Sequence, residues 1–383
     1  MLYTLGISIY EFGIRLASIW NPKAKAFING RKDSFNNLPQ GAIWMHCASL
    51  GEFEQGLSLL QQIKSQNPEQ EIIVTFFSPS GYNHAQTKDV VDAVRYLPLD
   101  YPNKMKRWVK ALNPQCLLLV KSELWPQLLK AMQKNNIPTH LVAGRFSTKQ
   151  KHLIFIRKLL KGITHFWVQD EASAKQLKSL GIKQTTVVGD SRFDRVYANA
   201  QNKKKLPLIQ AFKGKGKLLV MGSIWPAGIA LLEKTSTYKL IVAPHDLKYV
   251  TQLKKQLQGL LYSQADESNI REPQILIIDN IGLLASIYKY ADVAYIGGAF
   301  GSGLHNILEA AVYGCPLLFG PKHQNFPEAG ELISIGGAKS ISNKETFQKA
   351  VTDYLEEAPK DAILKYCENK RGASKKMWQG IFN

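Results

Sequence analysis

The first twenty residues are apolar apart from a few positions, chiefly Thr4, Ser8, Glu11, Arg15 and Ser18. Those five are alternately four and three residues apart, which is the helical period and gathers them into one polar stripe. Glu11 and Arg15 stand one turn apart on it and are placed to pair. From residue 42 onward the pattern changes. Short apolar runs at 42–46, 72–77, 116–120, 140–142, 166–168 and 186–188 predict strands. Amphipathic stretches at 53–65, 124–135, 150–160 and 172–180 predict helices between them. Apolar strands alternating with helices imply a parallel sheet covered on both faces. Residues 201–217 (QNKKKLPLIQAFKGKGK) break the pattern with Lys, Gly and Pro and read as a linker. Strand patterns restart at 218–221, 240–243, 275–278, 293–296 and 317–319. The expected fold class is α/β, with two Rossmann-like domains facing across a cleft and an N-terminal membrane-interface helix. Residues 1–33 form that helix and its basic flank, 34–200 the first domain and 218–383 the second. The final helix is left as a candidate to pack back on the first domain.

The N-terminal segment does not read as a secretory signal. Its positive charges (Lys23, Lys25, Arg31 and Lys32) follow the apolar run instead of preceding it. A spanning helix would avoid the Glu11–Arg15 pair at its middle. A helix lying in the membrane interface, with a basic flank drawn to anionic lipid, fits better. The alternative is a helix docked on the protein's own core.

Charge sharpens the choice of partner. Lys and Arg total 49 against 30 Asp and Glu, a formal net charge of +19. Such a balance suits an anionic partner: nucleic acid, an acidic membrane face or an acidic substrate. No zinc-finger spacing, aromatic RNA-binding signature or basic heptad supports nucleic acid. The four cysteines, Cys47, Cys116, Cys315 and Cys367, form no C-x-x-C pair and read as buried thiols. No metal-ligand motif is present, the acidic D-x-D pair of many metal-dependent sugar transferases included.

Candidate chemistry lies where strands end. In DVAYIGGAFGSGLHNILEAAVYGCPLLFGP the strand 293–296 runs into Gly297, Gly298, Gly301 and Gly303, then into a helix over 306–313. Glycine lets backbone approach a phosphate, and a helix N-terminus offers free N–H groups. Asn306 and Glu309 share a helical face, where a carboxylate could accept from a ribose diol. The spacing departs from G-x-G-x-x-G, so a dehydrogenase is not indicated. In the first half, SLGE at 49–52 follows a strand and opens a helix. Glu52 there could act as a general base or merely complement the helix dipole. The loops SPSG at 78–81, SELWP at 122–126, Gly144–Arg145 and GDSRFD at 189–194 emerge at the same edge of the sheet.

As an ordered set these motifs resemble the Kdo (3-deoxy-D-manno-octulosonic acid) transferase family of lipopolysaccharide synthesis. The resemblance runs through HCASLGE at 46–52, FFSPSGY at 76–82, YLPLDYP at 96–102, SELWP, GRFS at 144–147 and GDSRFD. It continues in DNIG at 279–282, GLHNILEAA at 303–311 and FGPKHQNF at 319–326. It implies a two-domain glycosyltransferase B (GT-B) fold at the cytoplasmic face of the bacterial inner membrane. It also implies inverting, metal-independent transfer of Kdo from the donor CMP-Kdo to lipid IVA, a lipid A precursor, with no cofactor. Glu52 matches the family's catalytic base and Glu123 an acid assigned to transition-state support. Arg192 falls where the family usually has Lys. Contacts to the CMP moiety are expected from His245, Gly282, Gly298, Gly303, Asn306 and Glu309, and further substrate contacts from Ser49, Gly51, Ser80 and Arg145.

The chain departs from the family's pattern at several places. Lys121 stands where Glu is usual, Leu283 replaces a usual Glu, and Pro244 replaces the Arg of a Pro-Arg-His run, leaving His245. Ser223 is followed by Ile-Trp-Pro in place of Thr-His-Pro. Other readings are a GT-B enzyme using another nucleotide sugar, a membrane-associated sugar-binding protein without turnover, and a basic nucleic-acid binder.

Overall fold

The computed structural model describes residues 2–79, 81–82, 85, 89–121, 123–147, 150, 153–201, 205–232, 237–301 and 303–383. The chain divides into two compact units, Met1–Arg195 with Arg371–Asn383, and Val196–Lys370. The first unit holds a seven-stranded sheet: β1 Ile43–Cys47, β2 Ile72–Phe76, β3 Ala93–Tyr96, β4 Cys116–Val120, β5 Thr139–Gly144, β6 His165–Val168 and β7 Thr185–Val187. Its strand order is β3-β2-β1-β4-β5-β6-β7, with every recorded pairing parallel. The second unit repeats the plan with β8 Leu218–Ile224, β9 Lys239–Pro244, β10 Leu260–Leu261, β11 Ile275–Ile277, β12 Val293–Ile296, β13 Leu317–Phe319 and β14 Ala338–Ser340. There the order is β10-β11-β9-β8-β12-β13-β14, again parallel.

The central strands form where the sequence is apolar without interruption. β1, β2, β4 and β5 are buried at every position. Alternation still decides which face each residue covers: Trp44 packs with Trp108, Leu117 and Leu119, while Ile43, Met45 and Cys47 pack with Phe53, Leu57 and Trp167 on the other side. β3 escaped the sequence reading because it is a short edge strand with Arg95 between buried Val94 and Tyr96. The stretch expected as a linker, 201–217, carries the helix Pro207–Lys213, which buries Ile209 and Phe212.

The last helix, Ala373–Phe382, belongs to the first unit. Met377, Trp378, Ile381 and Phe382 pack into the core beside the helix Leu50–Gln66. Its free N–H groups are capped from afar: Asp194 accepts from the N–H of Gly372 at 2.6 Å and of Ser374 at 2.7 Å. All four cysteines are buried free thiols.

The N-terminal helix, Leu2–Ala17, has no buried residue. Its polar stripe faces the protein. Glu11 accepts from Tyr101 Oη at 2.8 Å and pairs with Arg15 at 2.7 Å, and Tyr3 donates to Asp100 at 2.8 Å. The opposite face leaves Leu2, Leu5, Ile9, Phe12 and Leu16 exposed, Phe12 to 70%. Among the described residues no helix is long and apolar enough to cross a membrane. Arg31 corrects one expectation about the basic flank. It is half-buried over the Phe27 ring and donates to the carbonyls of Phe27, Phe77 and Leu97, so its guanidinium is engaged within the protein.

Candidate active site

In a doubly wound sheet the chain leaves a central strand in both directions, and the loops at that reversal part to open a crevice at the carboxyl ends of the strands. The order of the first sheet places the reversal between β1 and β4. Glu52 follows β1 and Glu123 follows β4. The sequence therefore delivers two carboxylates to the loops at this reversal.

Local structure explains each position. Ser49 caps the helix Leu50–Gln66, and Glu52 stands at its third residue, the spacing of a capping box. Only half of the box forms: the Ser49 side chain makes no cap bond, while the Glu52 carboxylate accepts from the backbone N–H of Ser49 and, at 2.5 Å, from that of Ala48 before it. Burial raises the Glu52 carboxyl above its ordinary value, and the backbone N–H groups and Lys121 hold that rise in check. Gly51 is exposed, and a side chain there would meet open space.

Glu123 is the more perturbed of the two. Burial pushes its carboxyl up to about 7, and the Glu52 charge adds to the rise against the Trp125 N–H and Lys121. Lys121 ends β4 in the left-handed region, at φ 61. That conformation costs about 1–2 kcal/mol in a residue other than glycine and marks a turn held by its surroundings.

The remaining expected residues of this unit lie further along the same edge. Arg145 follows β5, exposed, 3.9 Å from the Asp170 carboxylate. Arg192 opens the helix Ser191–Gln201 and is bound by Asp190 through Nε at 2.8 Å and Nη2 at 2.6 Å. Ser191 and Arg195 tie this turn to the Glu52 helix, through the Gln55 carbonyl and the Glu54 carboxylate. Ser80 lies outside the described residues.

In the second unit the reversal falls between β8 and β12. Here the glycine loop serves backbone-to-backbone packing. A Cβ on Gly297 would collide with the Ser223 carbonyl, and one on Gly298, at φ 98, with the Gly303 carbonyl. The helix expected over 306–313 is a single turn, Leu308–Ala311, stopped before Gly314 and Pro316. Its dipole is correspondingly small. Asn306 and Glu309 do meet, Nδ2 to Oε1 at 3.2 Å. His245 and Gly282 line a cavity of about 500 Å³ with Ala243, Pro244, Ile278 and Asn280, beyond β9 and β11. A ring stack joins the two groups of residues: Trp225 over His245 at 4.2 Å, and His245 over His305 at 4.6 Å.

The sequence reading missed a network. Trp125 donates its indole N–H toward both Glu123 Oε2 and His46 Nε2, each at 3.1 Å. Trp225 donates to His305 Nε2 at the same distance in the second unit. Each tryptophan precedes a proline that starts a helix, Pro126–Lys134 and Pro226–Ile229. The Trp-Pro pairs were visible in the sequence, but their histidine partners come from other strands and loops.

Comparison with known proteins bears on this site. Residues 20–195, the part carrying both glutamates, match the family model for 3-deoxy-D-manno-octulosonic-acid transferase (kdotransferase). The chain is 28% identical over 335 residues to the 3-deoxy-D-manno-octulosonic acid transferase of Aquifex aeolicus, covering 85% of this chain and 88% of that one. Residues 20–195 thus carry a Kdo transferase domain, and the similarity to Kdo transferases continues over most of the chain. The Haemophilus influenzae member is 26% identical over 371 residues, covering 89% of this chain and 86% of that one. Among solved structures, a glycosyltransferase from Rickettsia africae superposes with a TM-score of 0.61 at 12% identity, covering 89% of this chain and 97% of that one. That likeness concerns the fold alone, which is GT-B. The matched domain and these relatives support a glycosyltransferase enzyme.

Proposed function

We propose that this enzyme transfers Kdo, with inversion, from CMP-Kdo to a lipid A precursor of the lipid IVA type, at the cytoplasmic face of the inner membrane. The observation that carries this reading is the Glu52–Glu123 pair at the reversal of the first sheet, both carboxyl groups raised by burial. A carboxylate whose proton affinity is raised by burial is better suited to taking a hydroxyl proton than a solvated one. In this reading Glu52 takes the proton of the acceptor sugar hydroxyl, whose oxygen attacks the anomeric carbon of Kdo. The bond to the CMP phosphate breaks, and CMP leaves with the electron pair. Glu123 supports the charge that builds on the sugar, and Arg192 that on the departing phosphate. Ser49, Gly51, Ser80 and Arg145 are assigned to the substrates.

The second unit is assigned to CMP. His245 and Gly282 share one cavity, and Asn306, Glu309 and the loop through Gly298 and Gly303 form the neighbouring edge. The reaction is proposed to need no metal, so excess chelator should leave it unchanged. Departures at Pro244 and Leu283 sit beside this cavity, and they give the second reading, a different nucleotide sugar, its one foothold.

The exposed apolar face of Leu2–Ala17 supports membrane attachment. Its polar stripe is already spent on Tyr101 and its own Arg15, so lipid is the partner proposed for Ile9, Phe12 and Leu16. Exposed Lys104, Lys106 and Arg107 on the adjoining helix supply charge for an anionic surface. The test of the base is Glu52→Gln, which should bind CMP-Kdo as before and lose transfer. Retained turnover would remove Glu52 from the role.

A further inference from the structure

Trp125 is fixed on three sides. Its ring lies against Phe77, with centroids 4.7 Å apart. Its backbone precedes a helix whose first N–H groups, of Gln127 and Leu128, are bound by the Asp100 carboxylate at 2.9 and 2.8 Å. Its indole N–H reaches His46 Nε2. The His46 tautomer follows from that contact: an indole N–H only donates, so Nε2 is the acceptor and Nδ1 carries the proton, facing Thr75 Oγ1 at 2.9 Å and the Thr75 carbonyl at 3.1 Å. Full burial pushes the His46 pKa down to about 3, so this ring stays neutral and its 3.9 Å approach to Glu123 is not an ion pair.

We propose that Trp125 is a positioning residue for the transfer reaction: oriented by His46 and Phe77, its Nε1–H holds the Glu123 carboxylate in place. The proposal rests on the reading of Glu123 as the acid that supports the transition state. The groups facing Glu123 are Glu52 on the first helix of the sheet, Lys121 at the end of β4, and His46 and Cys47 on β1, with Arg31 acting on His46. Glu52 opposes ionisation of Glu123. Lys121 and the indole N–H favour it, and the N–H is held in place by packing.

Trp125→Phe keeps a ring against Phe77 and removes the donor. The Glu123 carboxyl should then rise by about one pH unit, and the acid limb of the kcat profile should move up with it. Turnover should fall about fivefold at pH 7 and recover by pH 9, with KM for CMP-Kdo unchanged. Titration of ¹³C-labelled glutamate by NMR should show the same displacement without reference to activity. If Trp125→Phe fails to fold, 3-benzothienylalanine at position 125 removes the N–H from a ring of the same size. An unmoved pH limb, or a loss equal at every pH, overturns the positioning role. Glu123→Gln separates the two claims: retained turnover in that variant overturns the assignment of Glu123 itself.

Discussion

Glu123→Gln should make the N-terminal unit more stable while abolishing transfer. The carboxyl rises from 4.5 to about 7 on folding, because burial and the Glu52 charge both disfavour its ionised form. Between those values the folded chain holds a proton that the unfolded chain has released. The cost of ionising Glu123 is therefore absent below about pH 4.5, grows as pH rises to about 7 and is constant above. At about 1.4 kcal/mol per unit, it reaches about 3 kcal/mol at pH 8. Glutamine has nearly the same shape, carries no charge and still offers an oxygen to the Trp125 N–H. The variant should thus gain about 3 kcal/mol at pH 8, or about 6–12 °C in Tm for a unit of roughly two hundred residues, and almost nothing at pH 4.5. Tryptophan fluorescence suits the melts, since of the seven tryptophans only Trp225 lies in the other unit. A gain equal at both pH values, or a loss at pH 8, would refute the assignment of the strained carboxyl.

Two further outcomes test the second unit and the N-terminal helix. Gly298→Ala places a methyl group on the Gly303 carbonyl at a positive φ and should cost about 2–4 kcal/mol, whereas Gly301→Ala, which meets open space, should stay within about 0.5 kcal/mol; equal melts would contradict the packing role of the loop. Replacing Ile9, Phe12 and Leu16 together by Ser should weaken binding to phosphatidylglycerol vesicles on the order of 100-fold while leaving the melt unchanged, and undiminished flotation would rule out this face as the lipid contact.

How much could be read in the sequence depended on whether the determining interaction was local. Central strands such as Cys116–Val120 announce themselves because a parallel strand covered on both faces is apolar throughout. The edge strand Ala93–Tyr96 carries Arg95 between buried neighbours and gives no such signal. Glu52 was legible because a Ser-x-x-Glu helix start is a local motif. Its partnership with Glu123 depends on β1 and β4 lying side by side, a matter of topology. The roles of His46 and Trp125 were hidden for the same reason, since 79 residues separate donor and acceptor. Arg31 was misjudged because its counterparts are the carbonyls of Phe77 and Leu97, far along the chain. The shortened helix after Asn306 shows the reverse limit. Its periodicity suggested two turns, but Gly314 at φ 72 and the following Cys315-Pro316 end it after one.

The enzyme is incubated with CMP-Kdo and lipid IVA, with excess EDTA present and UDP-sugars as parallel donors, and the glycolipid is weighed by mass spectrometry. The account expects lipid IVA to gain one or more Kdo residues, with release of CMP, from CMP-Kdo alone. Unmodified lipid IVA, or sugar transferred from a UDP donor instead, would contradict it.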